Sequence, residues 1–86
     1  MDYAIYFKES ARKELLNLPQ KIQHKVSLSV DALSNNPRPN GVKKLKGQGE
    51  NLWRIRVGDY RIVYLIDDTI RIVNIRKIGN RRDVYN

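Results

Sequence analysis

Residues 53–64 read Trp-Arg-Ile-Arg-Val-Gly-Asp-Tyr-Arg-Ile-Val-Tyr, two alternating runs joined by Gly58-Asp59. A Gly-Asp pair in that setting signals a hairpin with a two-residue loop, which needs positive φ where the strands reverse. That loop length allows one register: Val57 opposite Tyr60, Arg56 opposite Arg61, Ile55 opposite Ile62 and Trp53 opposite Tyr64. Paired residues share a face, and successive side chains alternate between faces. One face is therefore apolar and aromatic, and the other carries Arg54, Arg56 and Arg61. Like charges set opposite each other weaken a sheet. The arginine face is either solvated or built to receive an anion, and in both cases it is expected to stand open.

The remaining pattern supplies the layer that covers the apolar face. Tyr3–Phe7 is a β-branched and aromatic run that reads as a first strand. Ser10 is placed to cap a helix in which Ala11, Leu15 and Leu18 form one apolar stripe. Pro19 ends that helix or opens the next, in which Ile22, Val26, Val30 and Leu33 fall at helical spacing until Asn35-Asn36-Pro37 stops it. Residues 34–52 are rich in Gly and Pro around the basic segment Val42–Gly47. They form a long loop with room for a brief strand near Lys43–Lys46, either a substrate-side flap or a solvated connector. Asp67-Asp68 marks another turn, and Thr69–Ile78 a last strand. A two-residue turn there would pair Arg61 with Asn74 and bring Arg76 onto the arginine face. The order β-α-α-β-β-β is an α+β pattern: two N-terminal helices packed on one face of a mostly antiparallel four-stranded sheet, in a single domain over residues 1–86.

Composition narrows the chemistry. The formal charge is +8, and +6 of it lies in residues 43–86, the half that also holds the last strands. Such a lopsided positive field suits a phosphate polymer or an acidic protein. With no cysteine and one histidine, thiolate and histidine-cluster metal sites are excluded. Asp67, Asp68 and Asp83 do not provide the convergent carboxylates of a magnesium site, so no cofactor is expected. No apolar run approaches the ~18 residues of a membrane span and no signal peptide is evident, so a soluble, cytoplasmic chain is expected. Arginine stays protonated and offers a planar fork of donors to phosphate oxygens. Arg54, Arg56 and Arg61, joined by Arg81 from the C-terminal segment, could stabilise a pentacoordinate phosphoryl transition state. None of them easily accepts a proton. Tyr85 is the base candidate, since nearby cations favour a phenolate, although a penultimate tyrosine can also be a frayed terminus. His24 lies mid-helix, away from the arginines, and is expected at the surface or partly packed. Lys43, Lys44, Lys46, Arg76, Lys77 and Arg82 are further candidates for binding an RNA backbone.

The run LKGQGENLWRIRVGDYRIVYLIDD, followed by IVNIRKIGNRRDVYN, closely resembles the RelE/ParE superfamily of bacterial and archaeal toxins over essentially the whole chain. The RelE branch consists of mRNA interferases that enter the ribosomal A site and cut the message by 2′-hydroxyl attack, leaving a 2′,3′-cyclic phosphate. The resemblance thus implies a toxin of a type II pair, a metal-independent endoribonuclease whose partners are the ribosome, mRNA and a cognate antitoxin. It assigns Arg61 and Arg81 to the scissile phosphate and matches Tyr85 to a C-terminal tyrosine implicated in base stacking or proton transfer. Arg54 and Arg56 stand where the best-known RelE-like members carry lysine, and Asn80 where many carry histidine. These departures shift the base role to Tyr85 or to substrate-assisted proton loss. The same superfamily includes ParE-like toxins that poison DNA gyrase. A non-catalytic RNA-binding module is the third reading.

Overall fold

The computed structural model describes residues 2–46 and 51–80. The elements run β1 (Ala4–Phe7), α1 (Glu9–Leu16), α2 (Gln20–Ala32), β2 (Lys43–Lys44), β3 (Leu52–Val57), β4 (Tyr60–Asp67) and β5 (Ile72–Asn80). They build one sheet in the order β1-β5-β4-β3-β2, in which β1 runs parallel to β5 and every other pair is antiparallel. The α+β architecture is the one expected, with a fifth strand added. That strand is the brief one foreseen near Lys43–Lys46, reduced to two residues that pair Lys43 with Arg54 and Lys44 with Trp53.

The β3–β4 hairpin has the predicted register at every position, with Gly58 at φ 60° in its two-residue loop. The β4–β5 hairpin differs. Asp67 pairs with Ile72, and its Oδ1 accepts the N–H groups of Thr69 and Ile70 at 3.0 and 3.2 Å, which stabilises a wider turn that ends on Arg71 at φ 56°. A bulge then inserts Arg76, since Val63 pairs with Lys77 whereas Tyr64 pairs with Ile75. Arg61 is consequently opposite Gly79 rather than Asn74, and Arg76 is the extra residue of the bulge rather than a member of the arginine face.

Helix α1 begins at Glu9 with Lys8 as its N-cap, two residues ahead of the expected Ser10 cap. The reason is the sheet: the Lys8 N–H bonds Ile75 O at 2.8 Å while its carbonyl accepts Arg12 N–H at 3.0 Å, so the chain passes from ladder to helix without a linker. Pro19 is the N-cap of α2. The helical stripes pack as patterned: Ala11, Val26, Val30 and Leu33 are buried, and Leu15, Leu18 and Ile22 lie against them. Beneath them Ile55, Ile62, Tyr64, Ile66, Val73, Ile75 and Ile78 form the sheet side of the core. The bulge keeps that row intact, because the extra residue returns Ile78 to the covered face after Val73 and Ile75. Past the end of β1, the exposed edge of β5 is satisfied by α1, whose Glu14 Oε1 accepts the Ile78 N–H at 3.0 Å. Among the described residues no helix is long and apolar enough to cross a membrane.

Candidate nucleic-acid interface

Cross-strand pairing sorts the cations by face. One row across the uncovered face runs Lys43, Arg54, Val63, Lys77, and the next runs Arg56, Arg61, Gly79. Towards the opposite end the rows turn apolar and neutral, with Leu52, Leu65, Asn74 and Tyr6 in register. The positive charge is thus gathered at the hairpin end of the sheet. The bulge contributes directly, since it brings Lys77 opposite Val63, beside the arginines.

Arg61 is the unexpected member. The arginine face was expected to stand open, and Arg56 does, but Arg61 is only 4% exposed. Among the described residues its Nε has no hydrogen-bond partner, and its Nη1 reaches the Tyr60 carbonyl at 3.4 Å. The ion pairs between described residues join Lys13 to Glu9 and Arg38 to Asp68, neither of them on this face. A guanidinium cannot shed its proton to relieve the cost. A buried charge that lacks a counter-ion costs several kcal/mol, and its direct cross-strand neighbour is another arginine, Arg56. An anion placed between them would relieve both terms.

The other candidates divide. Arg54 is half-buried, with Lys43 as its neighbour in register. Lys44 pairs with Trp53 and belongs to the helix-side face, where its Nζ lies 5.7 Å from the indole centroid. Lys46 is exposed in the loop after β2, and Arg76 is half-buried at the bulge. His24 is exposed on α2, as expected. Arg81, Arg82 and Tyr85 lie outside the described residues. Among the described residues no three His, Cys, Asp or Glu side chains come together to hold a metal ion.

A tether towards the other end of the sheet escaped sequence reasoning. Arg38 forks onto Asp68 at 3.1 and 2.8 Å, and the Tyr3 hydroxyl donates to the same carboxylate at 2.7 Å. The Arg38 fork, and secondarily the Tyr3 hydroxyl, hold the Asp68 carboxyl down at about 2. Arg38 also lies 4.8 Å from the Trp53 ring centroid, and one residue earlier Pro37 O accepts the buried Tyr64 hydroxyl at 2.7 Å. Burial pushes the Tyr64 hydroxyl far up. The segment between α2 and β2 is thereby fastened to β3, β4 and the β4–β5 turn. Its one sequence signal is the Pro37-Arg38-Pro39 stiffening, which says nothing about the partner 30 residues away.

Residues 5–85 match the family described as the ParE toxin of type II toxin-antitoxin system, parDE. The chain belongs to this toxin family. It is 38% identical over 84 residues to Toxin RelE of Mycobacterium tuberculosis, across 96% of this chain and 86% of that protein. Toxin RelG of the same organism is 34% identical over 86 residues, across 99% and 98%. Among solved structures, the archaeal RelE-RelB complex from Pyrococcus horikoshii OT3 contains a chain that superposes with a TM-score of 0.83 at 30% identity, over 94% of this chain and 97% of that one. The RelE/ParE resemblance read from the hairpin and the C-terminal run is therefore correct at the level of the superfamily, and the chain is a type II toxin.

Proposed function

We propose that this toxin is a ribosome-dependent endoribonuclease that cuts mRNA by attack of a 2′-hydroxyl on the adjacent phosphate. The observation that carries the reading is Arg61, a buried guanidinium without a carboxylate partner among the described residues and set opposite Arg56. In the step, the 2′-oxygen loses its proton and forms a bond to phosphorus, the bond from phosphorus to the 5′-oxygen breaks, the leaving 5′-oxygen takes a proton from water, and a 2′,3′-cyclic phosphate and a 5′-hydroxyl result. Charge grows on the non-bridging oxygens, and donors already aimed at that position lower the barrier without reorganising. Arg61 and Arg81 take that role, Arg54 and Arg56 orient the strand, and Tyr85 accepts the 2′-hydroxyl proton. Lys43 and Lys77 extend the cationic row along the RNA, with Lys44, Lys46, Arg76 and Arg82 as outlying contacts. The RelE-named relatives support this branch of the superfamily. The P. horikoshii complex contains RelB beside RelE, and by analogy a cognate antitoxin silences this chain in the cytoplasm.

The matched family description names ParE, which favours gyrase poisoning as the second reading. Primer extension on message from translating cells separates the two. Wild type should give discrete cuts within codons, and Arg61→Ala, Arg81→Ala and Tyr85→Phe should each reduce them by about 10²-fold or more, the usual loss when a transition-state donor is removed. Intact message together with early DNA damage would favour gyrase. RNA binding that weakens in these variants, with no cleavage in wild type, would leave a non-catalytic module.

A further inference from the structure

The geometry points to a second nucleotide subsite in the notch between the C-terminal half of α2 and the outer edge of β3, next to the Arg56–Arg61 pair. It rests on the RNA-cleaving reading and names where the strand goes after it leaves the scissile phosphate.

The notch exists because β2 is too short. It pairs only with Arg54 and Trp53, so among the described residues the edge of β3 beyond Arg54 has no strand neighbour on that side. The chain turns away there at Gly41, φ 88°, where Val42 N–H closes onto Pro39 O at 3.1 Å. A cavity of about 510 Å³ remains between this turn, α2 and the strand edge. That volume lies within the range of small-ligand clefts, roughly 300–1,000 Å³. Among the described residues, every charged one on its lining is a cation: Lys43, Arg54 and Arg56. Its other walls combine apolar Ala32 and Pro39 with the polar side chains of Ser29 and Asn40. An asparagine amide carries both donors and an acceptor, which suits the edge of a base, while the apolar wall suits its flat side. An acidic peptide would use the cations but leave that wall idle.

Two further features favour a nucleotide. Arg56 belongs both to the notch and to the row of Arg61, so one phosphodiester strand can lie on Arg61 and enter the notch at the neighbouring strand, about 4.8 Å away. The outer wall is also pre-ordered. It is fastened just upstream by the Tyr64 hydroxyl on Pro37 O and by the Arg38 fork on Asp68, so little order remains to be lost on binding.

Fluorescence anisotropy with 2′-O-methyl oligoribonucleotides of two, three and four residues tests the subsite, because these probes lack the nucleophile and bind without being cut. Wild type should show one step of about tenfold in affinity as the added nucleotide reaches the notch. Asn40→Ala, at an exposed position, and Ser29→Phe, which fills the cavity, should remove that step and leave dinucleotide affinity unchanged; circular dichroism checks that both fold. A step that survives in folded Asn40→Ala and Ser29→Phe, or no step in wild type, overturns the proposal. So does a hexaglutamate peptide that loses affinity in these variants when the oligonucleotides do not. Loss of the nuclease reading would appear separately, as intact natural message with the affinity step still present.

Discussion

Arg61 carries a conflict between stability and function. Its burial without a counter-ion among the described residues is a cost that a neutral side chain would not incur, and replacing buried ionic groups with apolar ones of similar volume is often stabilising by about 1–4 kcal/mol. Arg61→Met should therefore raise the thermal midpoint of the free toxin while abolishing cleavage, a pair of outcomes that differential scanning calorimetry and a cleavage assay read on the same preparation. A lowered midpoint would mean that Arg61 holds the fold together instead. Tyr64 behaves in the opposite way. Its hydroxyl satisfies the Pro37 carbonyl from inside the core, and Tyr64→Phe should cost about 1–3 kcal/mol in urea unfolding because that acceptor is left without its partner. Neither behaviour follows from residue type. The alternation around Gly58-Asp59 showed which way Arg61 points, but burial depends on what lies beside it, and that is set by pairing to β5.

At the scale of elements, the two hairpins explain what a sequence can reveal. The β3–β4 register was legible because two residues, Gly58 and Asp59, set the loop length locally. The β4–β5 register was not, because two events shift it: the Asp67 side chain caps a wider turn, and Arg76 bulges. The Asp67 cap is a local choice of turn, and the bulge is a tertiary one, by which Val73, Ile75 and Ile78 all reach the core. The Arg38–Asp68 tether likewise links segments far apart in the chain and has no local signature. It has a pH signature. The Asp68 carboxyl is held near 2 in the folded chain, below the roughly 3.9 of an unfolded aspartate. Its contribution to stability is therefore complete above pH ~4 and is lost as the pH falls through ~2. Asp68→Asn should flatten the fall of the urea midpoint between those limits; an unchanged acid limb would show that the fork adds nothing in solution.

Across the whole molecule, the helices cover one face of the sheet and the cations collect at one end of the other. The family, the helix-sheet layering and the arginine row could be read from the helical stripes, the alternating hairpin and the C-terminal run, whereas the depth of Arg61 and the notch at the β3 edge required the assembled sheet. If about four phosphates are contacted, log affinity for single-stranded RNA should fall against log salt with a slope of roughly −3, and a flat response would point to an acidic protein as the main ligand. The central claim, that this face cuts message at a phosphate held by Arg61, is tested most directly by adding the folded, antitoxin-free protein to ribosomes programmed with a defined message and mapping the product ends. The account predicts cuts in the A-site codon that end in 2′,3′-cyclic phosphate and disappear with Arg61→Met. Intact message with wild type, or unchanged cutting by Arg61→Met, would contradict it.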